Sequence, residues 1–269
     1  MSHSVVTRLA SADADERRAA CVDAADDPTA VLLLDALARA LGDPEKRVAQ
    51  AASDSLAKLA QTCPEVGDVV RSALRGDTPS QRWFAALACS RIEPAGPRLL
   101  PVLVESLGSE AGDIRWTAAR LLVNIGREYG EVLPLMLGLA RTDPNPALRC
   151  MALYCLRELA PDEPGCAQVI VAATLDQELS VRHAALTALA SLSDAAESII
   201  GRLLEVTDDP SDPTSQRIAT FALGALGSRP QIQLPANAIA SLRQQASDSP
   251  RDELRTAAQR ALEACEVEC

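Results

Sequence analysis

Apolar residues recur along this chain with the spacing of one helical face. In the segment 114–125 they fall at Ile114, Ala118, Leu122 and Ile125. Residues spaced by four, four and three positions project from the same side of an α-helix. The pattern therefore predicts a helix here, with a buried side formed by this apolar frame and an opposite side that faces solvent.

The same frame occurs eight times at nearly constant intervals. Its first position falls at residues 16, 48, 81, 114, 148, 181, 215 and 254, so the steps are 32, 33, 33, 34, 33, 34 and 39 residues. An earlier helix precedes most copies and often begins with proline or an acidic residue, as helix first turns prefer. Breaker-rich turns such as Gly42–Pro44 link the two helices. No window alternates as a strand does. The chain is predicted to be an all-α, right-handed α-solenoid of about eight stacked helix–turn–helix units.

We expect a single domain, because a repeat of this kind buries its apolar face only against its neighbours. It would cover residues 1–269, with repeats at roughly 1–27, 28–62, 63–94, 95–128, 129–161, 162–193, 194–228 and 229–269.

Composition narrows the choice of partner. Hydrophobic residues make up 48% of the chain but aromatic residues only 2%, which favours close packing of small aliphatic helices. The net charge of −11 argues against broad affinity for nucleic acid or an anionic membrane. No leader or membrane-spanning segment is recognised, and the eight cysteines include no Cys-x-x-Cys pair. We therefore expect a cytoplasmic protein with reduced thiols.

The repeats resemble HEAT repeats, particularly the short type found in phycobilisome bilin lyases. In the shared motif an apolar residue and Arg are followed by Ala and then Leu, and an Asp lies in the turn before the helix. The motif begins at Ile114-Arg115, Leu148-Arg149 and Val181-Arg182. The turn residues are Asp43, Asp77, Asp143 and Asp176. The resemblance implies that the arginines hold one repeat to the next. We call them the arginine ladder: Arg17, Arg82, Arg115, Arg149, Arg182 and Arg255. Ala49 and Gln216 replace the arginine in repeats two and seven, and the alternative role for the ladder is an anion track.

Positions two, six, nine and thirteen after the first frame residue lie on the solvent side of the second helices. By the HEAT resemblance this side lines the concave surface. It carries four of the six aromatic residues, and Trp, Tyr and Arg dominate binding hot spots. We call the candidate partner-binding residues the stripe: Trp83, Leu87, Trp116, Arg120, Arg127, Cys150, Tyr154, Arg157, His183, Arg217 and Phe221. Thr187 and Arg260 share this side. If the stack twists, Trp83 and Trp116 are ordinary packing residues instead.

The preferred function is a non-enzymatic scaffold that grips a protein or peptide segment, with arginines suited to an acidic partner. The resemblance also allows a bilin lyase subunit or chromophore-handling chaperone, and a relative of the HEAT-like DNA glycosylases is a second alternative. Motifs for metal, phosphate or serine chemistry are missing, so we predict no catalytic residue, metal or cofactor. A Cys150–His183 thiolate–imidazole pair is the one remaining catalytic alternative.

Overall fold

The computed structural model describes residues 2–27, 29–159, 163–192 and 197–266, which form helices, turns and no strand. They divide into two compact units, residues 1–129 and 130–269. The helices of the first unit are α1 (Ser2–Leu9), α2 (Ala14–Ala24), α3 (Leu34–Ala40), α4 (Lys46–Leu59), α5 (Glu65–Ala73), α6 (Pro79–Ile92), α7 (Leu100–Leu107) and α8 (Gly112–Glu128). Short 3₁₀ turns, Ala30–Leu33 and Pro97–Leu99, lead into α3 and α7.

The second unit contains α9 (Val132–Thr142), α10 (Pro146–Leu159), α11 (Pro164–Ala173), α12 (Leu179–Leu189), α13 (Glu197–Asp208), α14 (Pro213–Gly227), α15 (Ala236–Asp248) and α16 (Asp252–Glu266). In each unit the helices follow one another as pairs. Second helices pack on second helices: α2, α4 and α6 in one unit, and α10, α12, α14 and α16 in the other. The predicted all-α helical-repeat fold is confirmed. That the two units form one domain stays a prediction.

Side-chain caps fix where several second helices begin. The Asp13 Oδ1 accepts a hydrogen bond from the Asp15 N–H at 2.9 Å before α2. The Thr78 Oγ1 accepts from the Gln81 N–H at 3.1 Å before α6. These contacts satisfy amide groups that the first helical turn leaves unpaired. Asp13 and Thr78 therefore act as helix start signals.

The apolar frame forms the core. Val48, Ala52, Leu56 and Leu59 of α4 are at most 4% exposed. The corresponding residues of α12 are buried too, whereas Ile114 at the start of α8 is only half-buried. Each leucine of this kind is worth roughly 1.5–3 kcal/mol on burial. Aliphatic contact between neighbouring pairs therefore stabilises each unit.

The arginine ladder is structural, as the HEAT resemblance implied. The Nη1 of each ladder arginine donates to the backbone carbonyl six residues earlier, in the turn before its own helix. The acceptors are Ser11, Gly76, Ser109, Asp143, Asp176 and Ser249, at 2.5 to 2.9 Å. Each of these hydrogen bonds ties the turn to the helix that follows it.

Two ladder arginines also reach the turn of the following repeat. Arg17 donates through Nε and Nη2 to the two carboxylate oxygens of Asp43, at 2.7 and 2.9 Å. Arg149 binds Asp176 in the same fork, at 2.9 and 2.8 Å. The hydrogen bonds from Arg149 outweigh burial and hold the pKa of Asp176 below its usual value. Bidentate pairs of this kind fix the spacing between repeats, so they leave no free anion track at these positions.

No helix in the described ranges combines the length and apolar character needed to traverse a bilayer.

Candidate functional site

The structure divides the stripe of the first unit into buried and exposed residues. The Trp116 side chain is 50% exposed, and Arg120 and Arg127 lie on the surface. Leu87 is half-buried. Trp83, in contrast, is 4% exposed and lies in the core. The prediction that Trp83 faces an open groove is therefore wrong, and the packing alternative holds for it.

Burial of Trp83 follows from the environment of α6. This helix contacts α3, α4, α5 and α7, so neighbours surround it on several sides. The consecutive residues Trp83, Phe84, Ala85 and Ala86 are all buried, which a helix with one solvated side does not allow. The indole of Trp83, two positions after the first frame residue, therefore packs among these neighbouring helices.

The second unit places Arg217 and Phe221 of α14 on the surface, with Phe221 65% exposed. Tyr154 and Arg157 of α10 are half-buried and contact each other: the Arg157 Cζ lies 5.0 Å from the centre of the Tyr154 ring. The Arg157 Nη2 also donates to the Glu158 Oε1 at 2.7 Å. Arg157 is therefore held by its own helix in a cation–π contact and an ion pair.

Cys150 and His183 have different partners. The Nε2 of His183 lies 3.5 Å from the Oδ2 of Asp212, an electrostatic approach too long for a good hydrogen bond. Burial raises the pKa of the Cys150 thiol, in spite of the neighbouring Arg149 charge. A nucleophilic cysteine needs the opposite shift. The geometry therefore gives the thiolate–imidazole alternative no support.

A groove of about 950 Å³ runs over α14 and α16 in the second unit. Phe221 lines it, together with Arg217 on α14 and Arg260 on α16. Small residues make up much of its remaining lining: Gly224, Ala225, Ala257, Ala261 and Ala264. Two stripe residues thus belong to one concave surface.

Glycine permits the close approach of the two helices beneath this groove. A Cβ added at Gly224 would lie 2.6 Å from the Cβ of Ala261 and 2.7 Å from its Cα. At Gly227, an added Cβ would lie 2.5 Å from the Sγ of Cys265. Atoms cannot approach this closely without displacement, so α14 and α16 pack nearly backbone to backbone.

The charged groups of the groove are partly neutralised within it. The Arg217 Nε lies 4.0 Å from the Glu253 Oε2, and Asp252 pairs with Arg255 on the same helix. Arg260 takes part in no ion pair among the residues that the structure describes. Within the described part of the chain, the groove therefore offers an exposed ring and one guanidinium without an ion pair.

The sequence analysis placed Arg217, Phe221 and Arg260 on the correct side but did not recognise the groove. The sequence signal for the groove was the presence of small residues on both second helices, Gly224 and Ala225 on α14 and Ala257 and Ala261 on α16. The described ranges contain no group of three or more His, Cys, Asp or Glu side chains placed to hold a metal ion.

Comparison with known proteins supports the fold that the repeats predict. No curated protein matches the chain. Importin beta has a TM-score of 0.65 at 15% identity over 97% of this chain and 40% of its own. A mutant of Kap121p gives 0.66 at 15% identity over 97% and 33%. The protein named YIBA_ECOLI gives 0.58 at 16% identity over 97% and 92%.

The chain thus spans well under half of the first two proteins, and these identities show the fold alone. A family model adds information on part of the sequence: residues 100–190 match the family described as HEAT repeats. The HEAT-repeat match is thus limited to residues 100–190, and the structural similarity shows a helical-repeat fold over nearly the whole chain.

Proposed function

We propose that the protein is a non-enzymatic scaffold that binds a segment of another protein on the exposed stripe residues of its second helices. The observation that carries the proposal is that Phe221 is 65% exposed and lines a groove of about 950 Å³. Solvent contact of a phenyl ring exposed to this extent is unfavourable, and its burial by a partner would contribute about 2 kcal/mol. The chain has two phenylalanines in all, so an exposed one is not a consequence of abundance.

Trp116 supports the same proposal in the first unit. Its indole is 50% exposed, and the exposed Arg120 follows one turn later on α8. Exposed Trp and Arg side chains are enriched where partners bind. Helical-repeat proteins use their extended surfaces for such contacts. The partner is expected to carry acidic residues, because the exposed stripe residues other than Trp116 and Phe221 include three arginines.

Site-specific photocrosslinking tests the proposal. A benzophenone amino acid replaces Phe221, Trp116 or, as the control, Leu175 in separate full-length proteins expressed in the native host. Leu175 is 69% exposed and lies outside the groove, in the turn after α11. We expect the same partner to be crosslinked from positions 221 and 116 but not from 175. Equal crosslinking from all three positions would contradict the proposal.

Affinity for that partner gives the quantitative check. Phe221→Ala should weaken binding by about tenfold to a hundredfold, the range of a hot-spot residue, with unchanged helicity and melting. Leu175→Ala should leave the affinity unchanged. The proposal also keeps the cytoplasmic location that the sequence predicts, which a fluorescent fusion would test.

A bilin-binding role is a second candidate, favoured by the composition of the groove. Its volume lies at the upper end of small-molecule pockets, and Phe221 stands near Arg260. An arginine can pair with a propionate, and a ring can stack on a tetrapyrrole. Adding bilin to the purified protein should induce a shifted visible band that Phe221→Ala removes. An unchanged bilin spectrum would reject this candidate and leave the scaffold proposal intact.

A further inference from the structure

The groove over α14 and α16 has the length of a short helical segment. It extends along α14 from Arg217 to Ser228, eleven residues later. At 1.5 Å per residue this is roughly 16 Å. Three turns of a partner helix, or about five residues of extended chain, would cover this distance.

Apart from the charged side chains of Arg217, Asp252, Glu253 and Arg260, the groove offers few hydrogen-bond donors to a partner backbone. The Thr187 and Thr256 hydroxyls donate to the carbonyls of His183 and Asp252 on their own helices, at 2.8 and 2.9 Å. The Ser228 hydroxyl likewise donates to the Ala225 carbonyl at 3.1 Å. The other small lining residues have no polar side chain, and helix backbone groups are already paired.

Extended and helical partner segments differ in the free energy that their backbones would lose on binding to this lining. An extended segment would lose water from more N–H and C=O groups than this lining can pair, at a substantial free-energy cost for each unpaired group. A helix satisfies its own backbone and presents only side chains. The small residues of the groove allow such a helix to approach closely.

The charge pattern defines one polar feature of that helix. Phe221 and Arg260 occupy equivalent positions in adjacent repeats, so about 10 Å separates their backbones. Arg217 and Asp252 already have the charged neighbours Glu253 and Arg255, whereas Arg260 has no ion pair among the described residues. A carboxylate of the partner is the group that would best pair with the Arg260 guanidinium.

We infer that the groove over α14 and α16 binds an amphipathic α-helix of the partner protein, with its apolar side on Phe221 and an Asp or Glu opposite Arg260. This inference rests on the proposed function, because it specifies the partner segment that the scaffold would hold. The recognition mode is a helix laid in a groove, with anchors at positions i, i+3, i+4 and i+7.

A peptide selection on the full-length chain tests this inference. A phage-displayed library of random 16-residue peptides is selected against the wild-type protein, and clones that bind the Phe221→Ala variant equally well are removed. We expect the remaining sequences to show apolar residues at helical spacing with an acidic residue on one flank. The best peptide, made synthetically, should gain helical circular dichroism when it binds.

Charge reversal then tests the contact with Arg260. Arg260→Glu should weaken the peptide by about tenfold, and replacing the acidic residue of the peptide by Lys should restore most of the loss. The matched control is Arg243→Glu, which reverses an exposed arginine on α15 outside the groove and should change affinity less than twofold.

The outcomes separate this inference from the proposed function. Enriched peptides that are rich in proline, bind without gaining helicity and still need Phe221 would overturn the helix but retain the docking surface. An equal effect of Arg260→Glu and Arg243→Glu would overturn the carboxylate contact. Failure to enrich any peptide dependent on Phe221 would overturn the inference itself. The proposed function would fall separately if crosslinking from positions 221 and 116 matched that from position 175.

Discussion

Replacing Gly224 by alanine tests how closely α14 and α16 pack. In an open helix interior this change stabilises by about 1 kcal/mol, because glycine loses more backbone entropy on folding. At Gly224 the new Cβ would lie 2.6 Å from the Cβ and 2.7 Å from the Cα of Ala261. A backbone atom cannot rotate away, so α16 itself has to shift.

The magnitude follows from these two opposing effects. Overpacking of a well-filled site costs about 1–3 kcal/mol, and the upper end applies where a whole helix must move. After subtracting the gain in helix propensity, we expect Gly224→Ala to lower the free energy of unfolding by about 2 kcal/mol.

Gly138→Ala is the matched control. Gly138 lies inside α9, and nothing comes within 4 Å of a Cβ added there. This variant should raise the free energy of unfolding by about 1 kcal/mol, so the two chemically identical changes should differ by about 3 kcal/mol. Urea unfolding followed by circular dichroism measures both. Gly224→Ala as stable as Gly138→Ala would refute the close packing and the shape of the groove above it.

Two further predictions concern the core and the arginine ladder. Trp83→Ala should lower the free energy of unfolding by about 3–5 kcal/mol, and Trp116→Ala by less than about 1 kcal/mol. Acrylamide should quench the fluorescence of Trp116 far more than that of Trp83. Similar quenching of both indoles would contradict this prediction. Arg149→Ala should cost about 2 kcal/mol at neutral pH, because the half-buried Asp176 carboxylate loses its guanidinium partner, whereas the exposed Arg120→Ala should change little. Folding lowers the pKa of Asp176, so the ion pair stabilises the folded state fully above the unfolded pKa of about 4. This stabilisation is lost as the pH falls through the lower pKa of the folded state. The loss of stability caused by Arg149→Ala should therefore shrink in acid. A deficit that stays constant from pH 7 to pH 2 would contradict this account.

The sequence was sufficient for features that repeat. The frame of Val48, Ala52 and Leu56 predicted a buried helix side because its spacing depends only on helix geometry. The pairing of Arg17 with Asp43 was also predictable, since both residues recur at fixed places in a known repeat. Local periodicity and a shared motif determine these contacts, and no information on long-range packing is needed.

Exposure on the opposite side was predicted less well, because a helical wheel gives an angle but not the neighbours at that angle. Trp83 and Trp116 hold the same position in consecutive repeats, yet one is 4% and the other 50% exposed. The difference arises from how the helices around α6 and α8 are arranged, which no single repeat encodes. The groove escaped prediction for the same reason, since Gly224 and Ala261 acquire meaning only when their helices touch.

Repeat seven shows how a lost ladder arginine is replaced. Gln216 stands at the ladder position, is buried, and donates from Nε2 to the Thr207 carbonyl at 2.9 Å. Arg251, in the turn of the next repeat, donates to the Gln216 Oε1 at 2.7 Å and to the Pro210 carbonyl at 3.3 Å. Pro210 lies six residues before Gln216, the place of the carbonyl that a ladder arginine would bind. The guanidinium that binds this carbonyl therefore comes from the turn of the next repeat and not from α14. This indicates that the hydrogen bond to the turn carbonyl matters more than the element that supplies the donor.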